Sequence, residues 1–156
     1  MTPDGSPAFA YPACAEGWKL ECRQDGSFTA EDSAVCHRLY WESDVNWTTA
    51  MEEGFCVPGA DTAAFLAQSL AKLGLNSLEI NDFLITWLPR LEGNAYNLIA
   101  FHTDHGAKIS PAPDTVLRVL MGCKPLTESM SITPQTLTPT ERTGSTAVLL
   151  GGGIAE

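Results

Sequence analysis

The stretch that most constrains the fold is residues 79–101, which read EINDFLITWLPRLEGNAYNLIAF. Large apolar residues recur here three and four positions apart, which predicts one buried face of a helix: Ile80, Leu84, Trp87, Leu88 and Leu91. Proline lacks an amide hydrogen and disfavours a helical residue before it, so we expect the helix to end or kink at Pro89. Gly93 and Asn94 tolerate positive φ and predict a reversal, after which the apolar run 96–101 predicts a strand buried on both faces. A helix that leads directly into a buried strand is typical of layered α+β or α/β folds.

A second helix is predicted just before this stretch, over residues 61–73. Asp61 belongs to the residue types that begin helices, and Gly74 suits the position after the last turn. The predicted buried face of this helix consists of Ala63, Leu66, Leu70 and Leu73. Asn76 or Ser77 would begin the next helix, and so short a connection predicts two neighbouring, nearly antiparallel helices.

Strands are predicted on both sides of the two helices. The alternating stretch 17–29 contains Asp25-Gly26, a strong tight-turn signal, and predicts a β-hairpin. Further strands or short extended pieces are predicted at residues 36–42, 54–58, 116–126 and 146–150. The fold that accommodates these elements is α+β, with an antiparallel or mixed sheet packed on the helical hairpin.

The length and the local composition predict how the chain is divided. A chain of 156 residues suits one domain, which we place at residues 14–150. Residues 1–13 are rich in Pro, Gly, Ala and Ser and predict a flexible arm, and residues 151–156 predict a glycine-rich tail. The segment 127–143, rich in Thr, Ser and Pro, predicts an extended surface crossing with little regular structure.

The net charge of −10 argues against two classes of partner. The nine basic residues are scattered singly, so the chain has no basic stripe that could neutralise nucleic-acid phosphates. Anionic membrane surfaces would repel it for the same reason. No apolar run approaches the ~20 residues that a transmembrane helix needs, and the N-terminus has no signal-peptide pattern. We expect a protein partner instead, because the strong motifs are apolar and no set of polar residues converges, and we predict no cofactor.

Five cysteines leave the redox state open. Four of them lie in the first part of the chain and could form two disulfides, with one left over, but buried free thiols are an equally simple interpretation. The odd number favours a reducing compartment. Their spacing matches no zinc motif: Cys14, Cys22, Cys36, Cys56 and Cys123.

The strongest candidates for a metal or catalytic site are His102, Asp104 and His105. In an extended segment His102 and Asp104 share one face and His105 points away, so all three converge only in a turn. A catalytic zinc site needs a third firm ligand, and the only other histidine is His37. A polar loop after a strand is the favoured interpretation, and a metal-dependent enzyme or hydrolase that uses this loop is the alternative.

An aromatic group forms a second candidate site. Tyr40, Trp41 and Trp47 are predicted as a possible interaction surface. Glu42 could place a carboxylate at the mouth of an aromatic pocket, but acid–base catalysis usually needs a partner group, and nothing fixes the position of Asp44. A strand residue paired with an arginine is the favoured interpretation of Glu42.

Arg118 interrupts an apolar strand and therefore needs water or a partner. It is predicted either on the solvent side of the sheet or in an ion pair with a buried carboxylate such as Asp104 or Asp114. The structural ion pair is the favoured interpretation. The chain has no phosphate-binding or serine-hydrolase motif.

Several segments together resemble a family of uncharacterised domains, mostly from secreted or lipid-anchored bacterial proteins. They are RLYWES, WLPRLEGNAYNLIAF, SPAPDTVLRVLM with the KPL after it, and ERTG. The family motifs look like Y-L-F/Y-W-E and W-L-P-x-L/M-E-x-N-x-Y-N-L-I-x-F, and the resemblance covers roughly residues 17–150. It implies an extracellular or cell-surface location, with an organellar or intracellular complex as the alternative, and it supplies no catalytic residue.

The chain departs from this family in ways that suggest a divergent member. Residues 146–152 read TAVLLGG where the family has T-V-V-E-W-G-G, and His102 stands where the family tends to have Gln. Because every strong motif is apolar and patterned like a core, we expect a non-catalytic protein-interaction module or an accessory subunit of a larger assembly. The alternative is a hydrolase or metal-dependent enzyme that uses the loop with His102, Asp104 and His105.

Overall fold

The computed structural model describes residues 1–30, 35–43 and 51–155. The chain divides into two compact units, Met1–Trp47 with Gly106–Ala112, and Thr48–His105 with Pro113–Glu156. The prediction of a single domain over residues 14–150 stays a prediction.

The regular elements follow one another in chain order from the N-terminus. They are β1 (Thr2–Pro3), β2 (Pro7–Tyr11), β3 (Leu20–Cys22), β4 (Phe28–Ala30), β5 (Val35–Cys36), β6 (Tyr40–Ser43), β7 (Glu53–Pro58), a 3₁₀ turn (Gly59–Asp61), α1 (Thr62–Lys72), α2 (Ser77–Leu91), β8 (Tyr96–His102), β9 (Ala107–Lys108), β10 (Thr115–Leu126), β11 (Thr133–Pro134) and β12 (Thr146–Ile154).

The described residues of the first unit form three small antiparallel sheets: β1 with β9, β2 with β6, and β3 with β4 and β5. The predicted hairpin is confirmed as β3–β4, with Gly26 at a φ of 82° in its turn. The predicted strand 36–42 is divided between β5 and β6. Residues 1–13, where we expected a flexible arm, contribute β1 and β2.

The second unit contains a five-stranded mixed sheet in the order β11-β7-β8-β10-β12. The pairs β7–β8 and β8–β10 are antiparallel, whereas β10–β12 and β11–β7 are parallel. The two helices pack together and cover one face of this sheet, so the α+β prediction is confirmed. Side chains of both helices and of β7, β8 and β10 form one buried cluster, whose fully enclosed members are Leu66, Leu70, Leu91, Ile99, Leu117, Val119, Met121 and Cys123.

The first helix, α1, begins differently from the prediction. Asp61 precedes it but makes no capping hydrogen bond through its side chain, because the 3₁₀ turn already leads into the helix. Ala63 is exposed rather than buried, and the buried polar side chain on this first turn belongs to Thr62, whose hydroxyl donates to the carbonyl of Pro58. Gly74 follows the helix with a φ of 99°, as expected for a residue that ends it.

The second helix, α2, begins at a complete capping box. The side chain of Asn76 accepts from the amides of Leu78 and Glu79, and the Glu79 carboxylate accepts from the amide of Asn76. The expected end at Pro89 is wrong, because the helix continues to Leu91.

Pro89 is tolerated inside α2 because it lies on the exposed side. The carbonyl that loses its partner belongs to Ile85, whose side chain is 64% exposed, so this turn of the helix faces water. The turn that follows, at Gly93 and Asn94, forms without a left-handed glycine at Gly93. Phe83, which the predicted apolar face omitted, is buried.

The last strand, β12, continues through the three glycines at 151–153, where we expected a tail. Glycine is required at 152 because the Trp87 ring packs directly on the strand there. A Cβ at Gly152 would lie 2.6 Å from the carbonyl oxygen of Met121 and 2.9 Å from the Trp87 ring. The guanidinium of Arg90 covers the same ring, 5.5 Å from its centroid.

Candidate functional site

The two-stranded ribbon of β2 and β6 presents aromatic side chains to solvent. Tyr11 pairs with Tyr40 across the ribbon and Phe9 pairs with Glu42, after an irregularity next to Pro7. Alternation along each strand places these four side chains on one face. The exposed fractions of Phe9, Tyr11 and Tyr40 are 53%, 66% and 49%. We call Phe9, Tyr11, Tyr40 and Glu42 the aromatic face.

The side chains of the aromatic face also contact one another. The rings of Phe9 and Tyr40 meet edge to face, with 6.0 Å between centroids and 61° between planes. The hydroxyl of Tyr40 donates a hydrogen bond to the Glu42 carboxylate. These contacts hold the Tyr40 ring in place, so the face offers a preorganised apolar surface with an acceptor beside it.

The opposite face of the same ribbon packs inward. Trp41 is half-buried there and packs against Trp18, with 5.8 Å between ring centroids. Trp18 is buried, and its indole N–H donates to the carbonyl of Pro12. Of the predicted interaction surface, Tyr40 is therefore exposed, Trp41 lies on the other face, and Trp47 lies outside the described residues, as does Asp44.

Sequence reasoning missed Phe9 and Tyr11 because proline and glycine near them indicated an arm. The signal that could have found them is the alternation in Pro7–Tyr11, PAFAY, which matches a short strand.

The predicted loop site is only partly assembled. His105 Nε2 lies 3.4 Å from an Asp104 carboxylate oxygen, and both side chains are well exposed. His102 is the last residue of β8, and its imidazole packs over Gly122 of β10. The Met51 side chain packs over the same glycine. Within residues 1–30, 35–43 and 51–155, no three His, Cys, Asp or Glu side chains are placed to share a metal ion.

The acidic partners predicted for Arg118 have other contacts. Asp114 is exposed, and its carboxylate accepts from the amide and the hydroxyl of Ser145, at 2.7 and 2.8 Å. These two hydrogen bonds lower the pKa of Asp114. Arg118 is half-buried on the face of β10 that points away from the helices.

A buried polar cluster joins the helical hairpin to the sheet. The side-chain amide of Asn97, fully enclosed on β8, donates to the hydroxyl of Thr62 at 3.0 Å and to the carbonyl of Leu91 at 2.9 Å. Its oxygen accepts from Asn94 at 2.7 Å and from the thiol of Cys123. We call Thr62, Asn94, Asn97 and Cys123 the Asn97 cluster. Because every polar group of Asn97 is paired, the cluster stabilises the fold rather than offering groups to a substrate.

The sequence left both disulfides and free thiols open, and all five cysteines are free thiols in the structure. Cys123 is completely buried, and this burial raises the pKa of its thiol to about 12. Cys22 is the one exposed thiol among the five.

The ERTG segment is also engaged within the second unit. The Arg142 guanidinium donates to the carbonyl of Gly74 after α1 and pairs with the Glu79 carboxylate at the start of α2. Thr143 exchanges hydrogen bonds with the hydroxyl of Thr115. Gly144 adopts a φ of 56° and lies so close to Asp114 that any Cβ would clash. These residues of the ERTG segment thus stabilise turns and the sheet.

Comparison with known proteins adds no relative: no family model, no curated protein and no solved structure matches the chain. Neither helix in the described part of the chain has the length and apolar character to cross a membrane.

Proposed function

We propose that the protein is a non-catalytic protein-interaction module, or an accessory subunit of a larger assembly, and that the aromatic face binds its partner. The observation that carries this proposal is the exposure of three aromatic rings on one side of a two-stranded ribbon. Phe83 and Trp18, which serve the fold, are buried, whereas a group of large apolar side chains exposed together is informative about binding.

The chemistry of the aromatic face suits a protein partner. Tyrosine and phenylalanine are enriched at the centres of protein interfaces, because a ring buries a large area at a small cost in side-chain entropy. The contacts of Tyr40 with Phe9 and Glu42 restrict its ring before any partner arrives, which lowers that cost further.

The polar residues of the second unit support the same proposal. The Asn97 cluster, the Arg142–Glu79 pair and the Asp114–Ser145 pair bind one another or nearby backbone. The polar motif residues of the second unit are thereby accounted for by folding, whereas Tyr40 and Glu42 of the RLYWES motif lie on the aromatic face. We also propose that the chain is a divergent member of that family, and a solved member with the Asn97 contacts would support this.

The proposal is tested by affinity capture from extract of the source organism with three forms of the full chain. The first is the wild type, and the second carries Phe9→Ser, Tyr11→Ser and Tyr40→Ser. The third carries Leu78→Ser and Ile85→Ser, which remove two other exposed apolar side chains, 75% and 64% exposed on α2.

We expect the wild type and the α2 variant to retain the same partner, and the aromatic-face variant to lose it while keeping its circular dichroism spectrum. Retention of that partner by the aromatic-face variant would overturn the proposal. Loss only in the α2 variant would move the binding surface to that helix.

A further inference from the structure

The two edges of the five-stranded sheet are built very differently. The β11 edge is two residues long and ends in Pro134, which cannot donate to an added strand. Next to it, the side chain of Gln135 accepts a hydrogen bond from the Phe101 amide and donates one to the Phe101 carbonyl. Phe101 lies on β8, two residues after Ile99, which pairs with Phe55 of β7. Proline and a side-chain amide thus protect this edge.

The β12 edge lacks such protection. Over its nine residues, TAVLLGGGI, it contains no charged side chain and no proline, and its register with β10 is continuous from Thr146 to Ile154. In the described part of the chain, β10 is the one strand that pairs with it. A long, uncharged and regular edge is a template for another strand.

Gly153 is a position at which this edge can be altered without disturbing the fold. A Cβ at Gly152 would overlap the carbonyl oxygen of Met121 and the Trp87 ring, whereas a Cβ at Gly153 meets no atom of the described residues within 4 Å, and the φ of Gly153 is not left-handed. The fold of this chain therefore does not need glycine there.

We propose that β12 is a self-association edge, at which the β12 strand of a second copy adds antiparallel and makes one sheet through both molecules. A second copy fits because the same unprotected edge is present on both chains, which is what a two-fold interface needs. The strand is uncharged, so its pairing with itself places no like charges opposite each other.

The net charge of −10 gives this association a definite salt dependence. Two acidic copies repel each other at low ionic strength, whereas the strand contact itself is uncharged. Added salt screens the repulsion and leaves the backbone hydrogen bonds in place. The dimer is therefore expected to tighten with salt, which is opposite to the behaviour of a contact made by ion pairs.

The test is sedimentation equilibrium of the full chain at about 20 mM and about 300 mM salt, over concentrations from about 1 µM to about 1 mM. A monomer–dimer equilibrium that shifts towards dimer with salt is expected. In parallel, amide exchange of the wild type should slow with protein concentration within residues 146–154 but not in α1.

Two variants with the same charge change provide the control. Gly153→Glu should weaken the dimer about tenfold or more, because it places a charge on the paired strand. Gly93→Glu adds the same charge in a turn where a Cβ likewise meets no atom of the described residues within 4 Å, and it should leave the dimer constant within about twofold. A wild type that stays monomeric throughout, or equal weakening by both variants, would overturn the proposal.

Discussion

The Asn97 cluster and the aromatic face differ in where their side chains find partners. Asn97 is fully enclosed, and each of its polar groups bonds another part of the second unit. On the aromatic face, by contrast, Phe9, Tyr11 and Tyr40 keep about half or more of their surface in water. Buried polar groups that are fully paired stabilise a fold, whereas exposed rings add little to it. Substitutions in the two regions should therefore separate stability from binding.

The largest effect on stability is expected from Asn97→Ala. The substitution removes two donated hydrogen bonds and leaves the buried carbonyl of Leu91 without that donor, which should lower the free energy of unfolding by about 3 kcal/mol. Asn94→Ala, which removes one partner of Asn97 from a less buried position, should cost about 1 kcal/mol. Urea unfolding measures both, and equal costs for the two variants would show that Asn97 has no special role.

The next largest effect is expected from Gly152→Ala, which should lower the free energy of unfolding by about 2 kcal/mol. The new methyl group would overlap both the backbone and the Trp87 ring. Since the nearest atom is the carbonyl oxygen of Met121, the strands must shift to accept it. Gly93→Ala is the matched control and should change stability by less than about 0.5 kcal/mol. Thermal unfolding compares them, and a Gly152→Ala variant as stable as the control would contradict the close packing.

Asp114→Asn should lower the free energy of unfolding near neutral pH and reduce its dependence on pH, because it removes a carboxylate that is stabilised in the folded state. The folded-state pKa of Asp114 is lowered from 3.8 by the hydrogen bonds of Ser145. The Asp114 carboxylate therefore adds to the free energy of unfolding at pH values above its pKa in the unfolded chain. This stabilisation is lost as the pH falls through the lower pKa of the folded protein. Urea unfolding at neutral pH and below about pH 4 should show a smaller acid loss for Asp114→Asn than for the wild type.

The smallest effect is expected from the aromatic-face variant that carries serine at 9, 11 and 40. Because these rings are largely exposed, the free energy of unfolding should change by less than about 1 kcal/mol in total. Chemical denaturation checks this without any partner present. A loss of several kcal/mol would mean that the aromatic face is part of the fold, and the contrast with the Asn97 cluster would disappear.

Much of the second unit could be predicted from the sequence because its elements are long and periodic. The buried residues Leu66 and Leu70 on α1, and Trp87 and Leu91 on α2, follow helical spacing, and β8 and β10 are long apolar runs. The end of α2 was placed too early because the cost of Pro89 depends on which side of the helix faces water.

The candidate site was harder to predict, for two physical reasons. Strands as short as β2 and β6 leave little periodicity to read, and which face is exposed depends on what packs behind them, here Trp18 behind Trp41. The polar contacts that account for the motifs join distant positions, such as Arg142 with Glu79, 63 residues apart. No local pattern reveals that Asn97, within an apolar run, bonds two helices.

The burial of Cys123 has a practical consequence. A thiol that is enclosed between the helices and the sheet and has a pKa near 12 reacts with alkylating reagents only after that packing opens. The rate at which Cys123 is alkylated in the native protein therefore reports how often the core between the helices and the sheet opens, and the chain carries its own probe of that opening.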